Sequence, residues 1–197
     1  TGVNQPMLLR RQIARRCIYG VDLNPTAVEL SRVSIWIHTF VPGLPLSFLD
    51  WHLRQGNSVV GIATQSEAWD VINPSQGQFS LTVFTHDLEG RMNDIMGMML
   101  AIARQSDASI QEVEEARELY REAFFQLGPW EALMDVLTAS RIDQEIENRL
   151  QNIIEAWSAD PNAILDSQIH TDALSVLEGL ETFHHQVMFP EVMWREN

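Results

Sequence analysis

The run Cys17 to Asp22, "CIYGVD", leads straight into Leu23, Asn24 and Pro25 and then into "TAVELSRVSIWIHTF". No other stretch narrows the fold as much. A short apolar run with too few polar positions for an exposed edge suits a buried parallel strand. Asn24 can accept from the first free amides of a helix, and Pro25 fits the first helical position, where no N–H is needed. Apolar residues at Ala27, Val28, Leu30, Val33, Ile35, Trp36, Ile37 and Phe40 then predict an amphipathic helix with a broad buried face. Upstream, Pro6 opens a helix to about Arg16, with Met7, Ile13 and Ala14 turned inward. Helix, strand and helix in this order predict the interior of an α/β doubly wound sheet.

The pattern continues with a strand over Arg54 to Ile62, interrupted at Gly56-Asn57-Ser58. Gln65 to Gly77 reads as a loop, and Phe79 to Phe84 as a short strand. A helix is expected over Asp87 to Arg104. Ser109 and Glu112 form a capping box for the next, which Gly128-Pro129 should end. Trp130 to Ser140 is a third helix. A fourth carries the stripe Ile142, Ile146, Leu150, Ile153, Ile154 and Trp157, and Ala159 to Pro161 breaks it. Thr171 to His185 is the last, and "VMFPEV" reads as extended. The expected organisation is a partial α/β core over 1–62, a loop with a possible short strand over 63–86, a helical insert over 87–185 and a closing segment over 186–197.

With 45% apolar residues among 197, the chain should be globular. No apolar run approaches the roughly 20 residues of a membrane span, so no membrane partner is expected. No secretory signal pattern opens it. The single cysteine, Cys17, excludes an internal disulfide or a cysteine cage for zinc. These features favour a cytoplasmic location. Thr1 rather than methionine opens the chain, which reads as a piece of something longer. The formal net charge is −14, and all 13 basic residues are arginine. Such a chain repels a phosphate backbone as a whole. Its one basic cluster, Arg10, Arg11, Arg15 and Arg16, reads as a solvated helix face.

Asp22 is the first candidate for chemistry. In a doubly wound sheet the ligand lies across the carboxyl ends of the strands. A carboxylate there can accept from both hydroxyls of a ribose, with backbone donors supplied by the helix start at Asn24. The same Asp could simply help the helix begin. Asn57 is the second candidate. Gly56 lets the chain pass close to a ligand, and the amide could bond an adenine edge; Gly-Asn-Ser could equally be a plain turn. His184 and His185 are neighbours that point apart, with no carboxylate or Cys at ligand spacing, so no metal site is expected. His38 and His52 have no triad partners. "MNDIMGMML" reads as adaptable core, and Trp130 and Trp157 as packing anchors.

Three blocks, "RRCIYGVDLNPTAVELSRVSIWIHTF", "PGLPLSFLDWHLRQGNSVVG" and "FHHQVMFPEV", resemble the large adenine-N6 DNA methyltransferases of restriction-modification and phage-defence systems, fused type IIG enzymes included. The first two cover about residues 15–61. The resemblance implies a partial Rossmann-like S-adenosylmethionine methyltransferase sheet followed by a mostly helical insert. It implies Asp22 on the cofactor's ribose, Leu23 against its adenine and Asn57 at the adenine edge. It implies DNA as a partner through the full-length protein, along with flanking domains or subunits of the same system. Two parts of that family's pattern are missing. The Gly-rich first motif is not found, nor is the Asn/Asp-Pro-Pro-aromatic fourth motif that grips a flipped adenine. Asn73-Pro74 runs into Ser75-Gln76, and Asn24-Pro25 into Thr26. No catalytic residue is therefore expected here, and the chain alone should not transfer methyl groups. Two other readings stand beside this one: a non-catalytic helical interaction module of a larger DNA-processing protein, and a nicotinamide-dinucleotide domain, where an acid also ends the second strand.

Overall fold

The computed structural model describes residues 5–47, 49, 51–72 and 81–194. The elements run α1 (Gln5–Cys17), β1 (Gly20–Asp22), α2 (Pro25–Thr39), β2 (Leu53–Gln55), α3 (Gln65–Ile72), α4 (Leu81–Arg104), α5 (Ile110–Ser140), α6 (Gln144–Ala159), a 3-10 turn (Pro161–Ile164), α7 (Gln168–Val176), α8 (His185–Met188) and α9 (Pro190–Met193). They form two compact units. One holds the described residues up to Gly56 together with Gly97–Ala123. The other holds the described part of 57–96 and everything from Phe124 on.

In the first unit β1 and β2 pair in parallel, Gly20 opposite Leu53 and Asp22 opposite Gln55, with α2 as the crossover. The Gly20 amide donates to the His52 carbonyl (2.8 Å) and the Gly56 amide to the Asp22 carbonyl (3.0 Å). Asn24 caps α2 as expected, its side chain accepting from the Thr26 amide. Two side chains fasten α2 to the chain that follows it: Arg32 donates to the Leu53 carbonyl (2.6 Å) and the Trp36 indole to that of Ser47 (2.7 Å). Val28, Val41, Leu49, Trp51, Leu53, Met99, Ile102 and Tyr120 are buried around this unit's core.

The second unit is helical. Its densest part is α5 from Leu127 to Ala139, where Leu127, Trp130, Ala132, Leu133, Met134, Val136, Leu137 and Ala139 are all buried. A helical segment buried on nearly every side belongs inside a core, and its buried polar groups, Asp135 and Thr138, are hydrogen-bonded there. Trp130 meets Trp157 of α6 edge to face, centroids 5.0 Å apart, which makes both packing anchors. Asp143 caps α6 by accepting from the Glu145 and Ile146 amides. Residues 57–62 run alongside 181–184: the Asn57 amide donates to Glu181 (2.6 Å) and the Phe183 amide to Val60 (2.8 Å). Gly61 allows this approach. Its φ is +139°, and a Cβ there would lie 2.4 Å from the Phe183 carbonyl oxygen.

The expected α/β class is overturned. Among the described residues the only sheet is the pair β1–β2, three residues each, and the rest of the regular structure is helical. "CIYGVD" and Arg54 to Ile62 looked like longer strands, but the β1–β2 pairing stops at Asp22 and Gln55, and Asn57 instead makes an isolated bridge with Thr182. The loop expected over 63–86 contains α3 and the start of α4. Of the expected strand Phe79 to Phe84, residues 81–84 are helical, and 73–80 lie outside the described residues. Gly128-Pro129 does not end a helix. Pro129 removes one intrahelical bond, but the burial of the flanking Leu127 and Trp130 carries α5 through it. The expected last helix stops at Val176, where Gly179 adopts φ +79°, and "VMFPEV" forms helical turns rather than an extended strand.

Candidate functional site

Asp22 ends β1 and is exposed, and Leu23 beside it is 53% exposed. One carboxylate oxygen, Oδ1, accepts from the Asn24 amide at 2.8 Å. This is the local turn that starts α2. Asp22 Oδ2 has no hydrogen-bond partner among the described residues. The amino end of α2 adds a favourable field for an acceptor-rich group held there. Asn57 belongs to the second unit. Its side-chain oxygen accepts from the Val59 amide at 3.2 Å, which is the geometry of a plain Asx turn.

The broad apolar face predicted for α2 is largely uncovered. Of the positions named, only Val28 is buried, while Leu30 (61%), Val33 (44%), Ile37 (72%) and Phe40 (50%) form an exposed stripe. Scattered exposed apolar residues are ordinary, but four in one helical row are a patch.

Two polar clusters escaped the sequence reading. In the first unit Arg11 and Arg15 are buried rather than part of a solvated face, whereas Arg10 and Arg16 are exposed. Arg11 Nε donates to Asp107 Oδ2 at 2.8 Å, Arg15 lies 3.2 Å from Asp107 Oδ1, and Ser47 Oγ donates to the same carboxylate at 2.6 Å. Burial alone would raise the Asp107 pKa, but these donors and charges hold it below the usual carboxylate range. His52, also buried, accepts the Trp51 indole N–H on Nε2 and packs on Tyr19. Burial first, and the nearby Arg15 charge second, push its pKa down to about 3.

In the second unit three polar side chains converge on Asp135 of α5. His184 Nε2 lies 3.0 Å from Oδ1, Thr182 Oγ1 3.3 Å from Oδ1, and His170 Nε2 3.7 Å from Oδ2. Burial would raise the Asp135 pKa, but the two histidines outweigh it and hold it at about 2. The signal for this cluster was a carboxylate inside "ALMDVLTA", an otherwise apolar helical run that could tolerate it only with a partner. Two imidazoles and a carboxylate suggest a metal site, but the hydrogen bonds argue otherwise. His184 Nδ1 accepts the Ile62 amide at 3.0 Å, so its hydrogen sits on Nε2 and is donated to Asp135. A metal-ligating histidine needs an acceptor behind it, not a donor. No group of three His, Cys, Asp or Glu side chains among the described residues is arranged to hold a metal ion.

A mostly apolar cleft of about 210 Å³ lies between α6, the 3-10 turn and the start of α7, with Trp157, Ile164 and Ile169 among its lining and Arg149 at its edge. Among the described residues no helix is long and apolar enough to cross a membrane.

No family model, no curated protein and no solved structure matches this chain.

Proposed function

We propose that the chain is part of an S-adenosylmethionine-dependent DNA adenine methyltransferase of a restriction-modification or phage-defence system, and that Asp22 grips the cofactor's ribose. The observation that carries this reading is the Asp22 carboxylate. It stands open to solvent at the carboxyl end of β1, keeps Oδ2 unengaged, and has the exposed Leu23 next to it as a surface for a flat base. The resemblance of "YGVDLNPTAVEL" and "LRQGNSVVG" to cofactor motifs adds the chemical identity of the ligand. In this reading Asn57 serves the adenine edge, DNA is met through other parts of the full-length protein, and no residue of this chain performs the transfer.

The test is titration of S-adenosylmethionine into the protein that carries the catalytic loop. Asp22→Ala should weaken binding by about 1–3 kcal/mol, the worth of a hydrogen bond to a charged group. Unchanged affinity removes the assignment. The stripe Leu30, Val33, Ile37 and Phe40 favours a second reading, a non-catalytic interaction module. That reading predicts binding of a partner that is lost in Ile37→Glu, with no effect of Asp22→Ala.

A further inference from the structure

We propose that His170 is a pH-sensitive clasp that fastens α7 to α5, closed when its ring is doubly protonated and open when one proton leaves. His170 lies near the start of α7, and each of its ring nitrogens faces an acceptor. Nδ1 is 3.5 Å from the Leu165 carbonyl oxygen, and Nε2 is 3.7 Å from Asp135 Oδ2. A neutral imidazole carries one hydrogen, so one of these pairs would set lone pair against lone pair. The imidazolium turns a hydrogen toward each, in a long hydrogen bond to the Leu165 carbonyl and an ion pair with Asp135. The carboxylate does not take over as donor, because its two histidine neighbours outweigh its burial and hold its pKa at about 2, so it carries no proton in this range.

The charges around the ring agree. Asp135 and Glu131, both on α5, face it and favour its positive form, and burial opposes them less strongly. His184 comes from the segment after α7 and shares Asp135 from the other side. From α6 the charged group beside α7 is Arg149, already held at 2.7 Å by Asp172 of α7 itself. The His170 pKa is therefore raised, first by Asp135. A raised histidine contributes its full stability below its ordinary value of about 6.5 and loses it as pH rises through the folded-state value. Opening the clasp leaves α7 held by the burial of Ile169 and Ala173 and by the Arg149–Asp172 pair. Ser167 and Ile169, just before His170 in sequence, line the apolar cleft against α6, so the clasp also governs how firmly that cleft is walled.

The experiment uses the whole chain, with its His Cε1–H resonances followed by NMR and its α7 amides by hydrogen exchange. His170→Gln assigns the resonance. His170 should titrate above the ordinary imidazole range. Protection over 168–176, corrected for intrinsic exchange, should fall by roughly tenfold from about pH 6 to about pH 9. In His170→Gln that protection should not change with pH. Asp135→Asn should bring the His170 titration down; if that variant does not fold, the other readouts still decide. Titration of His170 at or below the ordinary value, or α7 protection in His170→Gln that keeps the wild-type pH dependence, overturns the clasp.

Discussion

The two units differ most in where they keep their charge. The first contains nine arginines and nine carboxylates, while the second contains four arginines and eighteen carboxylates and so carries the entire net charge of −14. Yet the acidic unit is the one with a closely packed core, from Leu127 to Ala139 in α5. The neutral unit instead buries two guanidiniums and leaves the apolar stripe of α2 in solvent. Net charge says how a surface behaves toward partners and says little about what lies beneath it. The placement of individual charges decides packing. Unit two keeps carboxylates such as Glu145, Glu147 and Glu155 on the exposed side of α6 and buries Asp135 with three partners. Unit one draws Arg11, Arg15, Asp107 and Ser47 into one knot that links α1 to the loop before α5.

If that knot holds the first unit together, Asp107→Ala should be the most damaging change. It leaves two buried guanidiniums without their counter-ion, a loss of about 3–5 kcal/mol, visible in the denaturant midpoint. A loss below ~1 kcal/mol would mean that the knot behaves like a surface pair. Acidification should separate the units next. The folded pKa of His52 is depressed to about 3, so its neutral form stabilises the fold fully above the ordinary value. That contribution fades as pH falls from about 6.5 toward 3, at up to ~1.4 kcal/mol per pH unit. The carboxylate of Asp135, held at about 2, keeps its contribution until pH falls below about 4. Amide exchange should therefore show β1 and β2 losing protection at mild acid while α5 beyond Phe124 stays protected; the reverse order would break the contrast.

Gly61→Ala probes the second unit. Positive φ and the 2.4 Å approach to the Phe183 carbonyl should make it lose about 2–3 kcal/mol, where an ordinary surface Gly→Ala would be neutral or better. The smallest effect belongs to the α2 stripe. Ile37 is 72% exposed, so Ile37→Glu should change the stability of the chain by less than ~0.5 kcal/mol. A large loss would show that the stripe is covered in solution.

Local chemistry made several features legible in the sequence. Asn24-Pro25 announced the start of α2, and Ser109 and Glu112 exchange the two hydrogen bonds of a capping box, at 2.9 and 3.2 Å. Trp130 and Trp157 pack as expected. Each of these depends on residues a few positions apart or on sheer apolar area. What failed depended on distant partners. "CIYGVD" had the composition of a buried strand, but only three residues found a parallel neighbour. Pro129 had the signature of a helix end, but core packing on both sides outweighed one missing bond. Arg11 and Arg15 looked solvated because Asp107, the group that allows their burial, lies 96 residues from Arg11. Of the candidate site, Asp22 was placed correctly at a strand end and a helix start, since both signals lie within three residues of it. That Asn57 would be occupied by its own turn was not readable.

By itself the sequence determined the starts and caps of helices, the apolar mass available for a core and the sign of the overall charge, because these follow from neighbours in the chain. Only the tertiary structure decided the extent of the sheet, which arginines are buried, and which nitrogen of His184 carries its hydrogen. Those outcomes rest on contacts between residues dozens of positions apart, whose free energies exceed any local preference.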